Sequence, residues 1–414
     1  IRKALENNEI YRGRIRYLEN VSSDRNFIIN DKSLMKRIYS DRLTISATAV
    51  EEYNTCHFKY FCHTGLKLRI KKKKAFDYIS QGNLTHRCLE KILGSCKNKE
   101  EFDNLNHEQI SEIIHKCINE FIEEGLGGEA MLTSSAKASL ENISGNIEVL
   151  IRQLQCELRQ SEFRPVAFEL DVSEGGNSPV IKTADGIEIY LRGVVDRIDI
   201  YEKDNEKYLR VIDYKTGTTT FSISSLLYGI NMQMLIYMFS VTGKNGRFSD
   251  YTPAGVLYMP SGGAACGRDR NDELSVDDYL SKHFKMNGIV LSDRTVLNAM
   301  EKDIKGVYIP AKLLKADGGT GTLMLNKKAS SCLNAKNFKR LRSYTDSVLL
   351  KMCSELYGGQ IQADPIIFGK APCDYCDYWS VCGNDPVENY HEPEKNAEEI
   401  MMEKLGGEND EQMD

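Results

Sequence analysis

Two acids and a lysine stand where hydrolytic chemistry could be done. Asp196 lies in Leu191-Arg192-Gly193-Val194-Val195-Asp196-Arg197-Ile198-Asp199, and Asp213 and Lys215 close Leu209-Arg210-Val211-Ile212-Asp213-Tyr214-Lys215. Both runs are rich in Val, Ile and Tyr with apolar and polar residues alternating, which predicts two β-strands, and Asp204-Asn205 between them predicts a hairpin turn. Strand side chains alternate faces, so Asp213 and Lys215 share one face and Tyr214 takes the other. Carboxylates gathered beside an amine suit metal-assisted attack on a phosphate. The acids hold a hard divalent cation, the cation activates water, and the lysine steadies that water or the developing charge.

Around them lie further ordered words. Gly193-Val194-Val195-Asp196-Arg197-Ile198-Asp199 and Asp213-Tyr214-Lys215-Thr216-Gly217 are followed by Gln233-Met234-Leu235-Ile236-Tyr237, in which Gln233 and Tyr237 share one helix face. In this order they resemble the RecB-type branch of the PD-(D/E)XK nucleases. The resemblance implies an α/β fold with a restriction-endonuclease-like core, a mixed central β-sheet flanked by helices. It implies a Mg²⁺- or Mn²⁺-dependent deoxyribonuclease working as an exonuclease. Gly82-x-x-x-His86 resembles the histidine motif of that branch, so His86 is expected to join Asp196, Asp213 and the backbone carbonyl of Tyr214 around the metal. Glu169, in the strand predicted from Val166 to Val172, stands where related nucleases carry an additional acid. Gln233 and Tyr237 are expected to orient the DNA phosphate or the lysine.

The cysteines form a second constellation. Cys373-Asp374-Tyr375-Cys376 and Cys382 place three thiols on a tight loop and first turn, and three thiols ask for a fourth ligand. Tetrahedral zinc and a cubane iron–sulfur cluster both accept four cysteines, and spacing alone leaves the two open. Cys56, far upstream and followed by His57-Phe58-Lys59-Tyr60-Phe61, together with the C-terminal triplet resembles the iron–sulfur staple of the AddB/RexB family, which implies a structural 4Fe–4S cluster. His57 departs from the proline usual after that cysteine. The words Tyr228-Gly229-x-x-Met232-Gln233-Met234-Leu235-x-Tyr237 and Pro253-Ala254-Gly255-Val256-Leu257-Tyr258 extend this resemblance over roughly residues 40–390. It implies the nuclease domain of a helicase–nuclease that processes double-strand breaks for recombinational repair, with DNA and an AddA-type subunit as partners, in the bacterial cytoplasm near the nucleoid. The same chemistry on a stand-alone CRISPR-associated-type exonuclease, and a catalytically silent DNA-end-binding module, are the alternatives.

Composition bounds the rest. With 41% hydrophobic and 28% charged residues the chain has an ordinary globular balance, and its net charge of −6 leaves DNA binding to a local basic groove. No run approaches the roughly 20 apolar residues needed to span a bilayer. Twelve cysteines without a secretory signal indicate thiols in a reducing compartment. The chain begins at Ile1, as a piece of something longer would. Residues 1–45 read as a basic helical lead-in, 46–392 as the nuclease domain closed by Cys56, Cys373, Cys376 and Cys382, and 393–414 as an acidic, disordered tail. Thr48-Ala49-Val50-Glu51 has the form of a capping box, and Lys71, Lys72, Lys73 and Lys74 form a basic run that could meet phosphate. Gly318-Gly319-Thr320-Gly321 lacks the lysine of a phosphate-binding loop, and no ATPase motor motif occurs.

Overall fold

A computed structural model describes residues 11, 28–69, 78–126, 128, 132–175, 181–183, 185–217, 221–263, 275–313, 331–368, 371–382 and 390–406. The run Lys71 to Lys74 and the Gly318 to Gly321 turn lie outside the described residues.

Helices labelled here are α1 (Lys32–Tyr39), α2 (Ala47–Thr55), α3 (Tyr78–Ser95), α4 (His107–Phe121), α5 (Ser134–Gln160), α6 (Gln233–Val241), α7 (Ala335–Tyr357) and α8 (Ala397–Leu405). The strands are β1 (Arg42–Ser46), β2 (Arg164–Asp171), β3 (Ile181–Lys182), β4 (Glu188–Arg192), β5 (Val194–Lys203), β6 (Glu206–Lys215), β7 (Thr252–Pro260), β8 (Asn287–Leu291) and β9 (Cys332–Leu333). The central sheet runs β2-β5-β6-β7-β8-β9, antiparallel except for the parallel pairs β6/β7 and β8/β9. It is therefore mixed and flanked by helices. Asp204 and Asn205 join β5 to β6 with φ of 52° and 68°, the left-handed pair a tight hairpin requires.

Alternation along β5 and β6 sorts charge onto two faces. Arg197 and Asp199 on β5 and Arg210 on β6 point toward α5, whose Glu157 meets them. All four are sealed from water. Asp199 accepts from Arg197 at 2.6 Å and from Arg210 at 2.9 Å, while Glu157 takes one nitrogen from each arginine. Two positive and two negative charges cancel inside a low dielectric, so each is costly to orphan. Glu157→Ala should lower the unfolding free energy by about 3–5 kcal/mol, read by thermal or denaturant melts. The opposite face of the same strands carries Asp196, Asp213 and Lys215.

Two boundaries differ from the sequence reading. The lead-in does not end at residue 45. β1 runs through that point and pairs in parallel with β4, so residues 42–46 belong to a second, three-stranded sheet β1-β4-β3. The acidic tail contains α8, where Ala397, Met401 and Leu405 are buried, because three apolar positions at helical spacing outweigh the local negative charge. Gly82 sits inside α3, where a Cβ would reach Thr216 Oγ1 only at an ordinary 3.5 Å.

The ends of the domain are drawn together. Thr55 O accepts from Ile366 N at 3.0 Å, and Gln362 O accepts from Phe58 N at 2.9 Å. His57, in the usual place of a proline, donates its backbone N–H to Asp364 at 3.2 Å and pairs its ring with the same carboxylate at 2.6 Å. A proline has no N–H to give, so this closure depends on the departure.

Candidate active site

Asp196, the third residue of β5, has its carboxylate nine-tenths enclosed. Its Oδ2 accepts the Tyr214 backbone N–H at 2.7 Å, which fixes the carboxylate and leaves Oδ1 toward His86 Nδ1 at 3.4 Å. His86 projects from α3, its Nε2 2.9 Å from the carbonyl oxygen of Tyr214 and its Nδ1 3.7 Å from Glu169. His86, Glu169 and Asp196 each offer a ligand atom within 4.8 Å of the others. Both ring nitrogens face oxygens. Burial alone would lower the pKa of the imidazole, but hydrogen bonds to Asp196 and Glu169 override it and lift the pKa to about 10. The pocket is built for positive charge. Glu169 reaches it from β2 with φ of 44°, a left-handed conformation rare for glutamate that tends to persist where function holds it.

Asp213 stands on the neighbouring strand, only 4% exposed. Burial, then the charge of Asp196, raises its pKa to about 6, against the pull of Lys215. Lys215 Nζ is 2.6 Å from Asp213 Oδ2, an ion pair by distance, yet that enclosed oxygen lacks an aligned hydrogen-bond donor. An enclosed carboxylate beside three potential metal ligands fits a divalent cation. Access is through a surface cavity of about 560 Å³ lined by Asn83, His86, Arg87, Glu90, Lys91 and Glu169.

Helix α6 supports the lysine. Gln233 Oε1 lies 3.5 Å from Lys215 Nζ, and Tyr237 one turn on closes against the β4–β5 junction. Gly193 there has φ of 152°, and a Cβ would run into the Tyr237 hydroxyl, so glycine is required for this approach.

Glu51 was missed. Its spacing from Thr48 suggested a capping box, but Ser46 is the N-cap of α2, accepting from Ala49 N at 3.1 Å. Glu51 is thereby free to point away, and its Oε1 accepts the backbone N–H of Gln233, the first residue of α6, at 3.2 Å. A carboxylate at a helix N-terminus meets the positive end of the dipole. Burial raises its pKa, opposed by that N–H and by the charge of Lys215. Glu51→Gln should keep the fold but lower the cleavage rate by about tenfold to a hundredfold, with Glu51→Asp partly restoring it, as expected of a group that positions Lys215 through Gln233.

Comparisons with known proteins agree with this geometry. The profile of the PD-(D/E)XK nuclease superfamily matches residues 44–383. The chain belongs to the PD-(D/E)XK nuclease superfamily. It is also 29% identical over 389 residues to the B subunit of the ATP-dependent helicase/deoxyribonuclease of Clostridium acetobutylicum, covering 90% of this chain and 33% of that protein. Identity is 28% over 391 residues to the same-named protein of Thermoanaerobacter sp. strain X514, covering 91% and 33%. It is 30% over 369 residues to that of Ruminiclostridium cellulolyticum, covering 86% and 31%. This PD-(D/E)XK chain thus spans about a third of the length of the curated relatives it matches.

Of the twelve cysteines, Cys56 and Cys373 each lie within range of the charge of Cys382. The Cys56 thiol is buried and pushed up to about 12, by burial first and with Cys382 among the nearby charges. Cys373 is raised by burial and then by Cys376 and Cys382. Cys62, which sequence reasoning passed over, is also buried in the same neighbourhood, within reach of the charges of Cys382 and Cys376. No helix among the described residues is long and apolar enough to cross a membrane.

Proposed function

We propose that this chain is the nuclease domain of a helicase–nuclease subunit, hydrolysing DNA phosphodiester bonds as an exonuclease during the processing of double-strand breaks. The observation that carries the reading is the convergence of His86, Glu169 and Asp196, with the Asp213–Lys215 pair beside them on one sheet face. The relatives' name, which makes each of them one subunit of an ATP-dependent helicase/deoxyribonuclease, supports the partner: an AddA-type helicase–nuclease subunit. The bacterial origin of those relatives supports a cytoplasmic setting.

His86, Asp196, Asp213, Glu169 and the carbonyl of Tyr214 would hold Mg²⁺ or Mn²⁺. When bound, such an ion lowers the pKa of water and offsets charge on the phosphate. The residues of the chain do the rest. Asp196, fixed by the Tyr214 N–H, keeps one oxygen directed into the pocket. Lys215 directs its ammonium at the attacking water and the phosphoryl oxygens, and Gln233, anchored by Glu51, keeps that ammonium from swinging away. Cys56, Cys373, Cys376 and Cys382 would hold a 4Fe–4S cluster that ties the two ends of the domain, with no redox task in cleavage.

The test is direct. Purified protein should shorten end-labelled single- or double-stranded DNA with magnesium or manganese and stop on adding EDTA. DNA binding without cleavage in either metal would instead leave a silent end-binding module.

A further inference from the structure

Beside α6 lies a cavity of about 700 Å³ that the catalytic residues do not use. Five cations line it: Arg42 on β1, Arg192 at the end of β4, Lys244 and Arg247 in the loop after α6, and Arg342 on α7. Against them stand only Asp171 and Asp346, so the lining carries 5 − 2 = 3 net positive charges in a chain whose overall charge is −6. Arg192, Lys244 and Arg247 form no ion pair among the described residues. The Arg42 guanidinium carbon lies 4.0 Å from the centroid of the Tyr190 ring, both residues lining the cavity. A concentration of unpaired guanidinium groups on an acidic protein is what a phosphate chain would seek.

The cavity adjoins the cleavage pocket. Arg192 is four residues before Asp196, and at about 3.3 Å per strand residue their Cα atoms are at most about 13 Å apart. Asp171, on its wall, is two residues from Glu169 on β2. A strand whose phosphate sat at His86 and Asp196 would meet Arg192 and Arg42 within a few nucleotides.

We infer that this basic cavity is a second DNA-backbone site, holding the phosphates of a single strand a few nucleotides away from the bond being cut. The inference rests on the nuclease reading for its role but is measured by binding, which needs no turnover. The probe is a labelled oligothymidine about 12 nucleotides long, within the span single-strand sites cover. It is bound in metal-free buffer across a salt series to the wild type, to R42Q/R192Q/R247Q, and to K302Q/K305Q/K351Q, which removes equal charge outside the cavity. The cavity variant should bind about tenfold or more weakly, with the slope of log affinity against log salt shallower by about 2, as for three lost single-strand phosphate contacts. The control variant should stay close to wild type. Equal weakening in both variants, or an unchanged cavity variant with wild-type circular dichroism, overturns the site. Should wild-type protein cut no DNA while the cavity variant still loses binding and slope, the nuclease reading falls and the cavity stands.

Discussion

Asp213→Asn should abolish cleavage while leaving the protein at least as stable as the wild type. The loss follows from the position of Asp213: it shares one sheet face with Asp196 and holds the ammonium of Lys215 at 2.6 Å. Losing several kcal/mol of charge stabilisation corresponds to about a thousandfold or more in rate. Stability should move the other way, because this carboxylate is expensive to keep charged. Burial and Asp196 lift its pKa from 3.8 to about 6, so the folded state holds a proton that the unfolded state releases between those values. The wild type therefore loses stability as pH rises from about 4 to about 6, and the loss persists above. An asparagine carries no such penalty, so the gap favouring the variant should open over that window and stay constant beyond it. The gap is on the order of 3 kcal/mol in metal-free buffer, the attraction of Lys215 being already contained in the raised pKa. Nuclease assays and melts across pH read both halves. Undiminished cleavage would remove Asp213 from the site, and a variant less stable at pH 8 would show that the Lys215 pair outweighs burial.

That opposition between stability and activity bears on what could be read from the sequence. Short words carried the site because strand alternation sends Asp213 and Lys215 to one face, and the hairpin register of the consecutive strands β5 and β6 brings Asp196 beside them. His86 needed the family resemblance, since nothing local places a residue 128 positions before Tyr214 against its carbonyl. Glu51 was hidden by a good local explanation. Thr48 and Glu51 have capping-box spacing, but the contact that matters is with Gln233, 182 residues away. Arg197, Asp199 and Arg210 look in sequence like solvated strand charges. Only Glu157, from a helix laid over them, turns them into a closed ionic core. The basic cavity was equally illegible, because its cations come from β1, β4, α7 and a loop that meet only in the folded chain.

Replacing Cys376 with alanine should cost the protein its iron, its brown colour and much of its stability. The ring closed between Cys56 and the C-terminal cysteines is more than three hundred residues long, and chain-entropy arguments assign such a crosslink about 5–6 kcal/mol before any metal–thiolate bonding. The rest of the closure is modest by comparison: the His57–Asp364 pair and a few backbone hydrogen bonds near Thr55 and Gln362. The variant should therefore melt earlier and be cut by protease near residues 371–382. It should also bind DNA weakly, since α2 carries both Cys56 at its end and Glu51, which anchors Gln233. Four cysteine thiolates suit tetrahedral zinc as well as a cubane iron–sulfur cluster. Metal analysis of the wild type decides between them, with about four irons per chain expected for the cubane. A Cys376→Ala protein that melts, resists protease and binds DNA like the wild type would end the staple reading. One that is equally crippled in a wild type carrying zinc would keep the staple and replace its metal.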